Sequence, residues 1–215
     1  DPDTFGDLVD QMDRTGRVDQ AMQELKKRRA HQRIEAVQQA NTVLPIRRRS
    51  YRVIYADPPW KYGNNMPEYF DEQAHHYPLM TVDEICNMPV DDLCMDDAVL
   101  FLWATSPILP EALDVVRAWG FTYKSSFVWD KIKHNMGHYN SVRHEFLLIC
   151  VRGSCQPDVQ KLFDSVQSIE RTHHSEKPPF FREIIDTIYP RGPRIELFAR
   201  QNNEGWDTYG NEVSG

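Results

Sequence analysis

The sequence predicts an α/β fold, in which helices alternate with the strands of one sheet, preceded by a separate basic helix. Five short apolar runs of strand length occur, at residues 53–56, 99–103, 126–129, 146–151 and 195–199. Their nearly continuous apolar character is typical of buried parallel strands. Segments with helical periodicity lie between several of them. Because an open α/β sheet binds its ligand beyond the carboxyl ends of its strands, we expect the functional residues there.

Three predicted helices have recognisable ends. Thr81 and Glu84 have the spacing of a capping box, which marks the start of the first helix. The second is predicted to begin with Ser106 as its N-cap, directly before a proline, and to end at Gly120. The third covers residues 180–189 and is followed by a proline that cannot continue it. Each helix lies between predicted strands, as an α/β fold requires.

Residues 1–50 are predicted to form a basic helical arm and a linker, and residues 51–215 to form the globular domain. Apolar positions at helical spacing run through residues 18–40. Eight lysines and arginines lie within residues 24–49 against two acidic residues, whereas the whole chain has a net charge of -7. A basic segment on an acidic chain suits a nucleic-acid enzyme, but a basic helix is equally often a solvated face. Charge alone leaves both alternatives open.

Several classes of protein and site are not expected from the sequence. No apolar run approaches the roughly 20 residues that a membrane-spanning helix needs. The cysteines form no CxxC pair, and the two adjacent histidine pairs cannot chelate one metal ion, so we expect neither disulfides nor a metal site. The chain starts at Asp1 without a signal-like segment, and we expect an intracellular protein. The four cysteines are Cys86, Cys94, Cys150 and Cys155.

The motif Asp57-Pro58-Pro59-Trp60 directly follows the first predicted strand. Neither proline has an N–H group, so the turn offers only acceptors, including the Asp57 carboxylate and the Pro58 carbonyl. An amine on an aromatic ring is a poor nucleophile because its lone pair is delocalised. Two acceptors on its N–H groups would draw the nitrogen towards tetrahedral geometry and free that lone pair, while Trp60 would stack on the base. The alternative is a proline-rich turn with a buried tryptophan.

Further motifs accompany this one along the chain. They are Leu100-Phe101-Leu102-Trp103-Ala104-Thr105, Trp119-Gly120, Trp129-Asp130-Lys131, His144-Glu145, residues 174–178, residues 194–203 and Gly210-Asn211-Glu212. With them the chain resembles the DPPW adenine N6-methyltransferases, the MT-A70 family, from Tyr51 to Asn211. The resemblance implies a Rossmann-like, S-adenosylmethionine-dependent methyltransferase fold in which the catalytic motif precedes the cofactor strand. That order explains why no glycine-rich GxG follows the first strand.

The resemblance also implies site residues. Catalysis is expected of Asp57, Pro58, Pro59 and Trp60. Cofactor binding is expected of Asp57, Lys177, Glu196, Leu197, Arg200, Asn202, Asn203, Asn211 and Glu212. A ribose diol needs carboxylate or amide partners, and a strand end followed by asparagines supplies several. Lys177 resembles a family lysine near the methionine end of the cofactor and the acceptor base, and Lys131 and Glu145 resemble residues that hold the acceptor nucleoside. For all three, an ordinary surface charge is the alternative.

Two polar stretches, residues 61–76 and residues 131–143, are predicted to be loops that close over cofactor and substrate. Their stacking and phosphate-binding side chains are expected to bind the substrate. If that substrate is duplex DNA, the base must leave the stack, and these loops are the natural clamp. The loop residues expected in substrate binding are Tyr62, Asn64, His138, Tyr139 and Arg143.

The predicted function is formation of N6-methyladenine in DNA with S-adenosylmethionine as cofactor, without a metal ion. DNA is favoured by the basic arm and by the absence of a Cys/His zinc module of the kind that RNA-methylating members carry. The alternatives are an RNA N6-adenosine methyltransferase, a non-catalytic nucleic-acid-binding subunit and a methyltransferase acting on another amine. A homodimer or a related methyltransferase subunit is a possible partner. Location is expected to be cytoplasmic for a bacterial or phage protein and nuclear for a eukaryotic one.

Overall fold

Seven strands form one sheet in the order β5-β3-β4-β2-β1-β6-β7. The computed structural model describes residues 49–61, 79–136, 139–171 and 176–210. The basic arm before Arg49 and the predicted site residues Tyr62, Asn64, His138, Asn211 and Glu212 lie outside these ranges. The strands are β1 (Tyr51–Ala56), β2 (Cys94–Ala104), β3 (Thr122–Met136), β4 (Ser141–Arg152), β5 (Val166–Ser168), β6 (Arg194–Leu197) and β7 (Asp207–Tyr209).

The sheet is mixed, and the prediction that all five apolar runs are parallel strands is wrong for one of them. β1 pairs in parallel with both β2 and β6, and β5 and β7 are parallel to their neighbours. β4 is antiparallel to both β2 and β3. Only four residues separate β3 from β4, which is long enough for a hairpin and too short for a parallel crossover. β4 is apolar because it lies at the centre of the sheet, whatever its direction.

Helices cover both faces of this sheet. They are α1 (Val82–Cys86), α2 (Val90–Leu93), α3 (Leu109–Ala118) and α4 (Pro179–Ile188), with a 3-10 turn at Ser106–Ile108. The capping box of Thr81 and Glu84 is confirmed at the start of α1. Ser106 is not an N-cap as predicted, because it is already the first residue of the 3-10 turn. Gly120 closes α3 at φ +79°, a conformation that favours glycine. No helix in the described ranges is long and apolar enough to cross a membrane.

Alternation along β1 divides the core into two layers. Ile54 and Ala56 pack in the layer that includes α3, whereas Val53 and Tyr55 pack in the layer that includes α4. Tyr55 is also the register partner of Glu196 on β6. The residues that follow these two strands are therefore brought to one edge of the sheet, on the side where α4 begins.

Two segments near this edge differ from the sequence prediction. Most of the polar stretch at residues 131–143 continues the β3–β4 hairpin, with Asn135 paired to Val142, and is not a loop. The cofactor strand ends at Leu197, because Phe198 has φ +62° and turns the chain away from the strand. Ala199 then donates its N–H to the Tyr209 carbonyl at 3.0 Å.

Candidate active site

Four charged side chains of alternating sign lie at the carboxyl edge of the sheet. Lys177 Nζ donates to Asp57 Oδ2 at 2.7 Å and lies 3.4 Å from Glu145 Oε2. The other oxygen of Glu145 accepts from Lys131. All four side chains are mostly buried, with exposed fractions of 12% to 21%. Each side chain contacts the next in the order Lys131, Glu145, Lys177, Asp57. The two positive and two negative charges therefore cancel within the group.

The neighbours in this group fix the charge of its two central members. Burial by itself raises the pKa of Glu145, but Lys177 and Lys131 outweigh burial and hold the pKa below its ordinary value. Burial by itself lowers the pKa of Lys177, and the carboxylates of Asp57 and Glu145 reverse that effect and raise it. Glu145 and Lys177 are therefore both ionised at neutral pH.

Two tryptophans form the floor under these cations. Lys177 Nζ lies 5.4 Å from the ring centroid of Trp103, and Lys131 Nζ lies 5.1 Å from that of Trp129. The two rings pack edge to face, with centroids 6.1 Å apart. Such cation–π contacts stabilise an ammonium that has lost its water. No role was predicted for these two rings, although each tryptophan is the last residue of a predicted strand, 99–103 or 126–129.

The proline turn is held by its own backbone and by Trp60. Trp60 donates its backbone N–H to the Pro58 carbonyl at 2.9 Å, which leaves that carbonyl one lone pair for another donor. The Trp60 indole donates to the Trp103 carbonyl at 3.1 Å, and the residue is only 6% exposed. The structure thus does not support the predicted stacking of Trp60 on a base, because its ring faces are covered by the core. Trp60 anchors the turn that aims Asp57.

A second polar cluster lies at the ends of β6 and α4. Arg182 Nη2 donates to Glu196 Oε2 at 2.6 Å, and Arg182 Nη1 donates to Asn203 Oδ1 at 3.1 Å. Asn203 Nδ2 closes the triangle by donating to the same Glu196 oxygen at 3.0 Å. Glu196 and Asn203 were predicted to bind the cofactor, whereas Arg182 was not predicted. No sequence signal separates it from any other helical arginine.

The other predicted site residues in the described ranges differ in their burial and in their partners. The Leu197 side chain is fully buried, so only its backbone is available to a ligand. Asn202 is exposed and accepts from the Thr208 hydroxyl at 2.6 Å. Arg143 pairs with Asp130 at 2.9 Å, beside Lys131. Tyr139 is fully exposed. Arg200 is partly buried, and its charge opposes the rise in the Lys177 pKa.

The described residues contain no group of three or more His, Cys, Asp or Glu side chains placed to hold a metal ion. They offer two different kinds of polar surface at one edge of the sheet. The group around Asp57 presents a carboxylate whose cation has a second carboxylate nearby. The group around Glu196 presents a carboxylate of which one oxygen, Oε2, is already taken by protein donors.

Comparison with known proteins shows which family the chain belongs to. Residues 51–212 match the MT-A70 family. The type II methyltransferase M.MunI from Mycoplasma sp is 33% identical, over 87% of this chain and 88% of that protein. The N(6)-adenosine-methyltransferase catalytic subunit METTL3 from Homo sapiens is 29% identical, over 77% of this chain and 28% of its own length. An Arabidopsis thaliana N(6)-adenosine-methyltransferase MT-A70-like protein is 28% identical, over 24% of its length. The chain thus spans about a quarter of these two plant and animal relatives.

Proposed function

The chain belongs to the MT-A70 family of S-adenosylmethionine-dependent methyltransferases, and we propose that it methylates N6 of adenine in DNA, with Asp57 as acceptor for the amine. The observation that carries the proposal is the position of Asp57. Its carboxylate lies directly after a buried strand, partly exposed, on a turn whose prolines offer no competing N–H donor. Its partner is a lysine that has a second carboxylate within reach.

The residues at the edge of the sheet fit S-adenosylmethionine, which supplies an electrophilic methyl group when it is bound. Glu196 and Asn203 would hold the ribose, because no described residue donates to Glu196 Oε1 and a diol needs an acceptor there. Arg200 and Asn202 follow the same strand, and Asn211 and Glu212 follow β7 in the sequence. This side of the site is rich in acceptors and amides, as recognition of a nucleoside requires.

Acceptance of the amine requires Asp57 to exchange one donor for another. Lys177 occupies Asp57 Oδ2 in this structure. When an adenine amine donates to that oxygen, the Lys177 ammonium can keep its contact with Glu145 and its place over the Trp103 ring. The amine then donates to Asp57 and to the free lone pair of the Pro58 carbonyl. Positioning of the nitrogen by fixed acceptors, rather than proton transfer before attack, supplies the catalysis.

DNA is favoured over RNA by the extent of the match. The relative matched over 88% of its own length carries the name of a type II methyltransferase, a class that acts on DNA. The N(6)-adenosine-methyltransferases are matched over about a quarter of their length. The basic segment at residues 24–49 would add sequence-independent contacts to phosphates. The proposal also includes association with a second copy of the chain or with a related methyltransferase subunit. Sedimentation with and without DNA measures this association.

The proposal is tested by incubating the purified chain with tritiated S-adenosylmethionine and duplex DNA, single-stranded DNA or RNA in parallel. Nucleosides from each polymer are then identified by mass spectrometry. We expect N6-methyladenine in DNA, and none with the Asp57→Ala variant as control. Methylation of RNA alone would transfer the function to the RNA alternative, and N4-methylcytosine would overturn the choice of amine. Failure to bind S-adenosylmethionine in calorimetry would instead indicate a non-catalytic subunit.

A further inference from the structure

Arg182 is the one member of the Glu196 cluster that the proposed function does not use. It lies in the first half of α4, and its side chain is only 18% exposed. The Arg182 guanidinium also lies 5.5 Å from the ring centroid of Tyr55, the register partner of Glu196. The cation is therefore held between a ring of β1, a carboxylate of β6 and the amide of Asn203.

The hydrogen bonds of this cluster involve only one of the two carboxylate oxygens of Glu196. Arg182 and Asn203 both donate to Oε2, and no described residue donates to Oε1. Because Arg182 and Asn203 also bond to each other, neither can move without breaking two contacts. The triangle thus fixes the plane of the carboxylate and leaves one defined oxygen for a ligand.

Arg182 is placed poorly for stability alone. Its Nε is buried and has no hydrogen-bond partner among the described residues, and such an unpaired donor is unfavourable in a folded protein. Buried ion pairs of this kind are often replaced by apolar residues without loss of stability. A guanidinium fork aimed at a carboxylate and an amide at once is, however, a geometry that lysine or an apolar residue cannot reproduce.

We propose that Arg182 is a positioning residue of the cofactor pocket, which orients Glu196 and Asn203 so that Glu196 Oε1 meets the ribose hydroxyls of S-adenosylmethionine. This inference rests on the proposed function, because it takes the ligand of that pocket as given. Arg182 itself does not touch the cofactor. It acts through the two side chains that do.

The charge of Glu196 supports this role. Burial raises the pKa of Glu196 above its ordinary value, and Arg182 is the strongest influence in the opposite direction. The other groups that face Glu196 are Asn203, which also lowers the pKa, Asp57, which raises it, and on the neighbouring strands Tyr55 and Thr208. Loss of the guanidinium would therefore raise the pKa further and favour a protonated carboxyl, which is a poorer acceptor for a diol.

The test is the dissociation constant of S-adenosylmethionine, measured by calorimetry from about pH 4, near the ordinary pKa of a glutamate, to about pH 8. We expect Arg182→Met to bind about 10-fold to 100-fold more weakly than wild type near neutral pH, the range for loss of a charged hydrogen bond. The ratio of variant to wild-type constants should fall as pH rises, because Glu196 regains its charge. Taking the ratio cancels titration of the ligand's own amine.

Arg182→Lys separates orientation from charge. Lysine restores a cation beside Glu196 but cannot bridge both Glu196 and Asn203. Its affinity ratio should stay above one and be independent of pH. A pH-independent ratio for Arg182→Met, or an Arg182→Met affinity equal to wild type, would overturn the inference.

Two further variants keep the test decisive if Arg182→Met folds poorly. In a Glu196→Gln background, Arg182→Met should cause a smaller loss of affinity than it does in wild type, because only its contact with Asn203 then remains to be lost. Arg194→Met is the matched control, since Arg194 is also a mostly buried cation that lies over an aromatic ring, in its case Trp206. Arg194 pairs with Asp186 at the other end of β6. This variant should lower stability without a pH-dependent change in affinity. Wild type that binds no S-adenosylmethionine would refute the proposed function, whereas equal binding by Arg182→Met would refute only this inference.

Discussion

The two ends of the candidate site use different cations to compensate a buried carboxylate. At the acceptor end, Lys177 contacts both Asp57 and Glu145. At the cofactor end, Arg182 contacts Glu196 and an amide. Lys177 lies just before α4 and Arg182 lies in its first half, five residues further on. The cations that neutralise the carboxylates at the two ends of the candidate site therefore come from one short stretch of chain.

The choice of cation follows from what each end has to do. An ammonium is a point charge that can leave one carboxylate while it stays bound to another. A guanidinium fork holds its partners in one geometry. The acceptor end must release Asp57 to a substrate amine, whereas the cofactor end has to present the same surface in each catalytic cycle. The comparison thus predicts a site that rearranges at one end and is preorganised at the other.

Removal of the acceptor carboxylate is expected to have the largest effect. Asp57→Ala should lower the single-turnover rate by about 10²-fold to 10³-fold, the range for loss of one fixed polar group that positions the reacting atom. The fold should remain intact, because the residue lies after the strand and not in the core. Circular dichroism and thermal unfolding check the fold. Asp57→Asn, which keeps one acceptor oxygen, should lose less activity; equal losses would show that the carboxylate does not accept the amine.

An arginine at the acceptor end would test the need for a cation that can move. Lys177→Arg keeps the charge but allows a two-pronged contact that holds Asp57. We expect the rate to fall by up to about 10²-fold, the effect of a small misplacement at a reacting centre. Affinity for S-adenosylmethionine should change much less. Full activity in Lys177→Arg would contradict the distinction between the two ends.

Local sequence signals were enough to predict where α1 begins and where α3 ends. The capping box at Thr81 and the glycine at Gly120 are short-range features, and both are confirmed. The direction of β4 could not be predicted from its apolar pattern, because a central antiparallel strand is buried on both faces just as a parallel one is. The predicted runs at 126–129 and 146–151 are separated by 16 residues, and only the structure shows that the strands extend to Met136 and from Ser141, at the spacing of a hairpin.

The contacts within the site were even harder to predict from local sequence than the direction of β4. Asp57, Lys177 and Glu145 were named from motifs, but their shared contacts depend on three separate segments meeting at one edge: the turn after β1, the segment before α4, and β4. Trp60 was given a stacking role because tryptophan is suited to bases, and only its 6% exposure shows that it packs in the core instead. Arg182 carries no motif at all. Side-chain partners across the fold are a tertiary property, which local pattern does not encode.

Gly210 tests how closely the cofactor end is preorganised. A Cβ on Gly210 would lie 2.1 Å from the Ala199 carbonyl oxygen and 2.5 Å from the Ala199 nitrogen, so the backbone must shift. Gly210→Ala should displace the residues after β7 and weaken S-adenosylmethionine binding by about 10-fold, the effect of one lost hydrogen bond. Calorimetry measures the change.

Gly205→Ala is the matched control for that variant. Gly205 lies before β7, in the connection from β6, whereas Gly210 follows β7; Gly205 has φ +76° and no atom within 4 Å of an added Cβ. It should lose roughly 1–2 kcal/mol of stability from backbone strain alone and keep its affinity. Similar loss of affinity in both variants would mean that the whole connection, and not the contact at Ala199, shapes the pocket.

The smallest expected effect is a difference in how the two ends respond to acid. Glu145 has a pKa below its ordinary value, so its ionised form stabilises the fold above that ordinary value, and the stability is lost as pH falls through the folded pKa. Glu196 has a pKa above its ordinary value, so its contribution to stability is most favourable at low pH and declines as pH rises.

Thermal midpoints of wild type, Glu145→Gln and Glu196→Gln from about pH 3 to about pH 7 measure the contributions of both carboxylates to stability. The stability advantage of wild type over Glu145→Gln should grow with pH, whereas its advantage over Glu196→Gln should shrink, with about 2–4 °C for each kcal/mol. Slopes of the same sign would show that the two carboxylates are compensated alike, and that the lysine and arginine do not distinguish the two ends.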